Sequence, residues 1–403
     1  MKLNRREFLG AAPAAAALAA LPATRLRSKE EDPLDVRSYF PVTRDENYLN
    51  SSYIAPPPTQ VEEAGVAFVR SKTRDPISLG DMVAKADEVR GKFARLVGVS
   101  AKEIGFVNST SDGENLVVRS LDLAPGDNVV IDQLHYMTTF VLYKQLEQTK
   151  GIEVRIAKAK GGAVRTEDYE PLVDRRTRLI SVAWVSHQNG FRHDMRPLAD
   201  LAHAQGAYLY SDAVQAVGMF PIALQQEGVD FITSGTYKWL LASFGVAPFY
   251  VRSSLLDKIS PDRLGHLHVE KDLGDHKYKL YDSAKKFEYA TLAFGPIYQL
   301  GAALDFLERV GVDKIEAHTV ALAHELRKGL VDLGLRVVTP EGNRSSIVAF
   351  VNPQDPETDT RLFEEEKIRV SLRENGTQIR VGIALFNNAS EIQHFLSVVD
   401  KLA

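Results

Sequence analysis

The 403-residue chain contains no cysteine. That absence excludes disulfides, thiolate-ligated zinc, iron–sulfur clusters and any thiol nucleophile of the protein's own. No long basic run occurs and the formal charge is −4, so the electrostatic footprint of a nucleic-acid binder is missing. No glycine fingerprint follows the early apolar runs, which ranks a nucleotide-binding α/β protein last. No internal repeat is visible. His266 and His268 stand two apart without a carboxylate cluster and are weak candidates for a metal pair. What is present is ordinary for a globular protein: 44% hydrophobic and 25% charged residues, over a length that suits two to three domains.

The first residues carry an address. Asn4-Arg5-Arg6-Glu7-Phe8-Leu9-Gly10 precedes an alanine-rich apolar run over 11–21, closed by Pro22-Ala23. A charged start, an apolar stretch too short to span a bilayer and small residues after it describe a signal peptide over 1–23. The paired arginines resemble the twin-arginine signal of bacteria, which exports folded proteins. The expected location is therefore periplasmic or secreted, with no stable membrane span once the signal is removed. Export in the folded state suits a protein that carries a cofactor. Residues 24–47 read as a linker and N-terminal arm.

From residue 48 onward, short β-branched runs alternate with helical patterns. Strands are expected at 104–108, 128–132, 153–157, 178–185, 207–211, 231–234 and 246–251, several of them nearly continuous apolar runs. Such runs fit strands buried on both faces of a mainly parallel sheet. Between them, 82–97 and 197–205 carry helical periodicity, the second stopping at Gly206. The alternation predicts an α/β layered domain over 48–296. Beyond it, helices at 297–310 and 314–333, strands at 336–339, 346–351, 368–372 and 378–383, and helices at 360–366 and 389–402 predict a smaller α+β domain over 297–403. The polar stretch 261–286 reads as a long surface loop or subunit contact.

One constellation carries chemistry. An expected strand ends at Ser211-Asp212, Gln215 follows three residues later, and the next strand leads to Gly235-Thr236-Tyr237-Lys238. Residues at the ends of parallel strands face the crevice where such sheets hold ligands. A carboxylate and a lysine facing one crevice suit pyridoxal phosphate: the amine forms a Schiff base with its aldehyde and the acid keeps its ring nitrogen protonated. Taken singly, either residue is more ordinary as surface chemistry.

With Asp-x-x-Gln, a strand, a small-residue turn and Lys, the chain resembles the class V aminotransferase family of pyridoxal-phosphate enzymes over most of 48–403. That family includes cysteine desulfurases, isopenicillin N epimerase-like enzymes and kynureninases. The resemblance implies the fold of pyridoxal-phosphate transferases of fold type I, a large domain with a mainly parallel seven-stranded sheet and a smaller C-terminal α+β domain. It assigns Asp212 to the ring nitrogen, Gln215 to the phenolic oxygen, and Lys238 to the aldehyde and to proton transfer. The turn Asn108-Ser109-Thr110-Ser111-Asp112-Gly113-Glu114 offers a helix start for the phosphate. Thr110 and Ser111 are best aligned, and Ser111 with Glu114 is spaced as a capping box. Tyr136, or His135 beside it, is expected to stack on the ring, and His187 to meet the cofactor oxygen or the substrate.

Gly235-Thr236-Tyr237-Lys238 departs from the desulfurase Ser-x-His-Lys and is closer to the kynureninase Ser-Tyr-Lys; Thr236 and Tyr237 are expected to offer hydroxyls to the phosphate. Phe287-Glu288-Tyr289-Ala290-Thr291 is similar to the family's Phe-Glu-x-Gly-Thr, whose threonine enters a neighbouring subunit's phosphate site, which implies a homodimer with Thr291 in that role. Arg380, in Ile379-Arg380-Val381-Gly382, aligns with the family's carboxylate-binding arginine, whose planar fork suits an amino acid's α-carboxylate. The expected protein is an enzyme acting on an α-amino acid, with transamination or epimerisation first and lyase or kynureninase-like hydrolase chemistry behind. A non-catalytic relative that binds the cofactor is the alternative of another class. Because 370–376 holds no cysteine where desulfurases carry theirs, persulfide-forming desulfurase activity is expected to be excluded.

Overall fold

The computed structural model describes residues 31–402; the targeting segment expected over 1–23 lies outside them. The large domain is built on seven strands: β1 Ile104–Val107, β2 Asn128–Asp132, β3 Glu153–Ala157, β4 Thr177–Ala183, β5 Tyr208–Asp212, β6 Phe231–Thr233 and β7 Ala247–Val251. They lie in the order β1-β7-β6-β5-β4-β2-β3. All neighbours are parallel except β7, which runs antiparallel to both β1 and β6. β1, β2, β6 and β7 are buried at every residue, as expected where both faces of a sheet are covered and no polar alternation survives.

Helices supply the cover. Met137–Lys150 follows β2 and stops at Gly151, whose φ of +69° supplies the left-handed turn that an L side chain disfavours. Met195–Ala204 follows β4 and buries Met195, Leu198, Ala199 and Ala202. The helix Phe294–Val310, expected to open the small domain, packs on Thr59–Arg74 and Leu79–Leu96 and places Ile297, Leu300, Leu304 and Leu307 in the large core.

The C-terminal module has an antiparallel sheet of β8 Ile347–Val351, β9 Ser371–Arg373 and β10 Gln378–Gly382, with β10 in the centre. Its core joins Leu326, Leu330, Phe350, Ile379, Phe395 and Val399, with helices Val312–Asp332 and Ala389–Asp400 supplying one side. Two expectations change here. The strand expected at 336–339 is a single bridge, Val337 to Phe350. The one expected at 368–372 is split: Ile368–Arg369 pairs in parallel with Asn47–Tyr48, and only Ser371–Arg373 joins the sheet.

The arm before residue 48 is folded. Val36 and Phe40 are fully buried, and Arg37 reaches Glu391 at 2.7 Å and the Phe386 carbonyl at 2.5 Å. Part of the expected loop over 261–286 is an exposed antiparallel hairpin, Val269–Gly274 with Lys277–Leu280. No helix among the described residues is long and apolar enough to cross a membrane.

Candidate active site

The carboxyl ends of β2, β4, β5 and β6 share one edge because those strands are parallel, and register aligns Ala183 with Asp212 and Asp212 with Thr233. The residues that follow therefore converge. Ser109, Thr110, Ser111, Glu114, Tyr136, His187, Asp212, Gln215, Tyr237 and Lys238 line one cavity. A second cavity shares Tyr136, His187, Tyr237 and Lys238 as a common wall and adds Ser52, Tyr53, Arg373 and Arg380.

Lys238 is 8% exposed and its amine makes no hydrogen bond among the described residues. Burial, then the nearby Arg380, pushes its ammonium down to about 7, with Asp212 acting the other way. A lysine so placed has a substantial neutral, nucleophilic fraction near neutral pH. Asp212 is buried, and one oxygen accepts the Val214 N–H at 3.0 Å. Burial raises its carboxyl above the ordinary range while that N–H and Lys238 oppose the rise. Gln215 stands beneath the cavity with its amide fixed at both ends, Nε2 donating to the Ser52 carbonyl at 2.8 Å and Oε1 accepting the Trp239 indole N–H at 2.7 Å. The turn after the lysine closes through Leu241, whose φ of +56° is a strained state for a leucine.

The helix Thr110–Ser120 aims its first turn at the cavity. Its cap is Ser109, whose Oγ accepts the Asp112 N–H at 3.1 Å, which corrects the capping box expected from Ser111 and Glu114. Gly113 lets this helix sit against β6, since a Cβ there would collide with the Thr233 side chain. Thr110 Oγ1 accepts the Gly235 N–H at 3.1 Å and so links the helix start to the lysine turn.

Of Tyr136 and His135, only Tyr136 lines the cavity. His135 is fully buried away from the cavity, its Nδ1 accepting the Tyr136 N–H at 2.7 Å and its Nε2 lying 3.2 Å from Ser181 Oγ. Tyr136 is left on the wall, edge-on to the His187 ring at 4.9 Å. His187 has a buried Nδ1 without a partner, and burial followed by Arg380 pushes its imidazole down to about 2. Its ring is held in the neutral form at neutral pH.

Thr236 is corrected. Its Oγ1 donates into the following loop, to the carbonyls of Ser243 at 2.5 Å and Val246 at 3.1 Å, and does not line the cavity. Tyr237 does line it, stacked on Phe244 at 4.4 Å, and burial raises its phenol to about 12. Thr291 is exposed and lies outside the cavity of its own chain. Arg380 is 2% exposed; it donates to the His187 carbonyl at 2.5 Å and to Ser371 Oγ at 3.2 Å, and its Nε has no partner among the described residues.

Sequence reasoning missed Glu114 as part of the floor. It is buried and accepts hydrogen bonds from Ser181 Oγ at 2.6 Å and Thr139 Oγ1 at 2.9 Å, with no cation among its partners. Burial raises its carboxyl from 4.5 to about 7. The folded protein thus holds this proton more tightly than the unfolded chain, and stability is lost as pH rises from 4.5 towards 7. The ionised group costs about 3 kcal/mol above that window. Glu114→Gln is expected to unfold at higher denaturant than the parent at pH 8, the gap closing as pH falls to 4.5. A gap that stays constant across this range contradicts the assignment.

The residues present suit pyridoxal phosphate. A buried lysine amine without a hydrogen bond, a buried carboxylate with only one oxygen tied to the protein, and a capped helix start share one cavity. Sheet and cavity define a pyridoxal-phosphate enzyme of fold type I. The profile of the family described as Aminotransferase class-V matches residues 55–395, and the chain belongs to that family.

A probable cysteine desulfurase of Methanothermobacter thermautotrophicus is 28% identical over 92% of this chain and 98% of its own length. The cysteine desulfurase of Thermococcus onnurineus superposes with a TM-score of 0.84 at 23% identity, over 92% of this chain and 98% of that one. The cystine C–S lyase C-DES, solved with its reaction product cysteine persulfide, superposes with a TM-score of 0.83 at 19% identity, over 90% and 99%. These relatives overturn the exclusion of desulfurase activity drawn from the missing cysteine. Proteins bearing the desulfurase name align with nearly the whole chain, so the absence of a thiol does not separate it from them.

Proposed function

We propose that this chain is a pyridoxal-phosphate enzyme that cleaves the β-carbon–sulfur bond of a free sulfur-bearing α-amino acid, in the manner of the desulfurases it is similar to. The observation that carries the enzymatic reading is Lys238, standing on the wall common to the Asp212 cavity and the Arg380 cavity. The desulfurase names of its relatives favour the sulfur chemistry. Because the chain has no cysteine, the sulfur acceptor is a thiol supplied from outside, on a small molecule or a partner.

Arg380 would hold the α-carboxylate through its planar fork. Lys238 would hold the cofactor, Asp212 would face its ring nitrogen, and the helix start at Ser109–Ser111 would take its phosphate. When bound, the cofactor supplies an electron sink for the charge left at Cα. Lys238, neutral near pH 7, takes the proton from Cα and can return one to the carbon skeleton. The Tyr136 and His187 rings wall the cleft.

A homodimer is part of the proposal. Thr291 borders an apolar surface that includes Val66, 40% exposed, and Val69, 62% exposed, both on helix Thr59–Arg74. The test is the visible spectrum of the purified protein with added pyridoxal phosphate, followed by an amino-acid panel with dithiothreitol as acceptor. Bound cofactor and sulfide released from cysteine or cystine are expected, from a particle of twice the chain mass by light scattering. A keto acid or a racemised substrate in place of sulfide would select transamination or epimerisation. A protein that binds cofactor but alters no amino acid would be a non-catalytic relative.

A further inference from the structure

Arg380 is not alone in its cavity. Arg373 ends β9, and register sets it opposite Gln378 of β10, with Ser371 opposite Arg380. Opposed residues of an antiparallel pair share a face, as do residues two apart on one strand. Arg373, Gln378 and Arg380 therefore lie on one face of the small sheet. That face docks on the segment after β4, Gln378 Nε2 donating to the Gln188 carbonyl at 2.7 Å and Arg380 to that of His187.

The connection from β9 to β10 is tight. Glu374 and Asn375 take φ values of +50° and +55°, and Gly376 N–H returns to the Arg373 carbonyl at 2.9 Å. Arg373 is thus mounted on a short hairpin and lines the cavity with Arg380, Lys238, His187 and Tyr237.

The charges there do not balance. No carboxylate lines this cavity, and among the described residues the Arg373 guanidinium has neither an ion pair nor a hydrogen bond. One α-carboxylate answers Arg380 and leaves a second guanidinium facing the cleft. The cofactor's phosphate does not fill that role, because Ser109–Ser111 line the adjoining cavity and Arg373 does not. We infer that the cleft is built for an α-amino acid with a second anionic group on its side chain, a carboxylate or sulfinate, with Arg380 on the α-carboxylate and Arg373 on the side-chain anion.

The inference rests on the proposed amino-acid chemistry, and its test separates the two. Non-reacting succinate and glutarate are titrated by calorimetry into cofactor-free protein against propionate and butyrate. Aspartate, glutamate and cysteine sulfinate are then titrated into the cofactor-loaded protein against asparagine, glutamine and cysteine, read by the cofactor spectrum. A charge-assisted pair predicts that the dianionic ligands bind about tenfold or more tightly than their partners. Arg373→Gln brings the two sets to within about threefold and leaves cofactor affinity unchanged, and Arg373→Lys keeps part of the preference. Equal binding of acids and amides by the parent, or an Arg373→Gln variant that loses cofactor affinity and keeps the acid preference, overturns the inference. Protein that shows no cofactor spectrum but prefers dicarboxylates refutes the proposed function while sustaining the paired arginine site.

Discussion

Lys238→Ala is expected to lose turnover without losing stability. Proton transfer by a positioned side chain is worth about 10²- to 10⁴-fold, so the rate with any amino acid should fall at least that far. The visible band that pyridoxal phosphate gives when joined to a lysine should be absent. Stability should move the other way. The amine is buried, makes no hydrogen bond and shares its cavity with two guanidinium groups. Removing it relieves the cost of burying an amine that would be fully protonated in water and is driven towards its neutral form in the fold, the kind of cost that active sites commonly carry. The melting temperature of the cofactor-free variant should equal or exceed that of the parent. A variant that melts well below the parent would mean that Lys238 supports the fold, and retained turnover would remove it from the chemistry.

Glu288→Ala is expected to have the largest effect on stability. Arg90 and Glu288 form a two-pronged pair, 2.5 and 3.2 Å long, with side chains only 4% and 3% exposed. Glu288 also accepts the Phe106 N–H at 2.8 Å, and Arg90 donates to the Ile104 carbonyl at 2.8 Å. The pair therefore ties β1 to helix Leu79–Leu96 and to the segment that leads to Thr291. Removing the carboxylate leaves the buried guanidinium with Asp87 at 3.3 Å as its remaining ion pair and leaves the Phe106 N–H without an acceptor, a loss of about 3 kcal/mol. Replacing both members with apolar residues, as in Arg90→Met with Glu288→Leu, should restore much of it. Denaturant unfolding measures both, and a loss below about 1 kcal/mol for Glu288→Ala would show that the pair is dispensable.

The most legible parts of the sequence were those whose cause is local. β2 falls where expected, at Asn128–Asp132, because a continuous apolar run bounded by turn residues suits a sheet covered on both faces, and β3 falls at Glu153–Ala157, where an edge position tolerates Glu153 and Arg155 between its apolar residues. The family resemblance pointed to Asp212, Lys238 and Arg380, and parallel pairing sets Asp212 beside Thr233, at the end of the strand that leads to Lys238. Features fixed by distant contacts were not. The Thr236 hydroxyl follows the carbonyls of residues 243 and 246, which no pattern near 236 predicts. Glu114 sits at capping-box spacing, yet Ser181 and Thr139 draw it into the floor. Arg373 gains its meaning from the register of β9 on β10. The strand expected at 336–339 failed because β-propensity does not guarantee a partner, and one bridge is all it finds.

The folded arm before residue 48 has a consequence for the order in which the protein is completed. Arg37 and Glu391 are 354 residues apart, and Asn47–Tyr48 pairs with Ile368–Arg369. Between them the same segment runs through the cleft, where the Ser52 carbonyl fixes Gln215 and the Ala55 N–H meets the Tyr237 carbonyl at 3.1 Å. A growing chain can pair β2 to β6 long before its end is made, but the arm finds its partners only after Ile368–Arg369, and then Glu391, have been synthesised. Closing so long a loop demands its entropy cost before any contact rewards it. The cleft is therefore finished late, and a chain that stops before β10 lacks Arg380 and holds Lys238 and Asp212 on an open sheet edge.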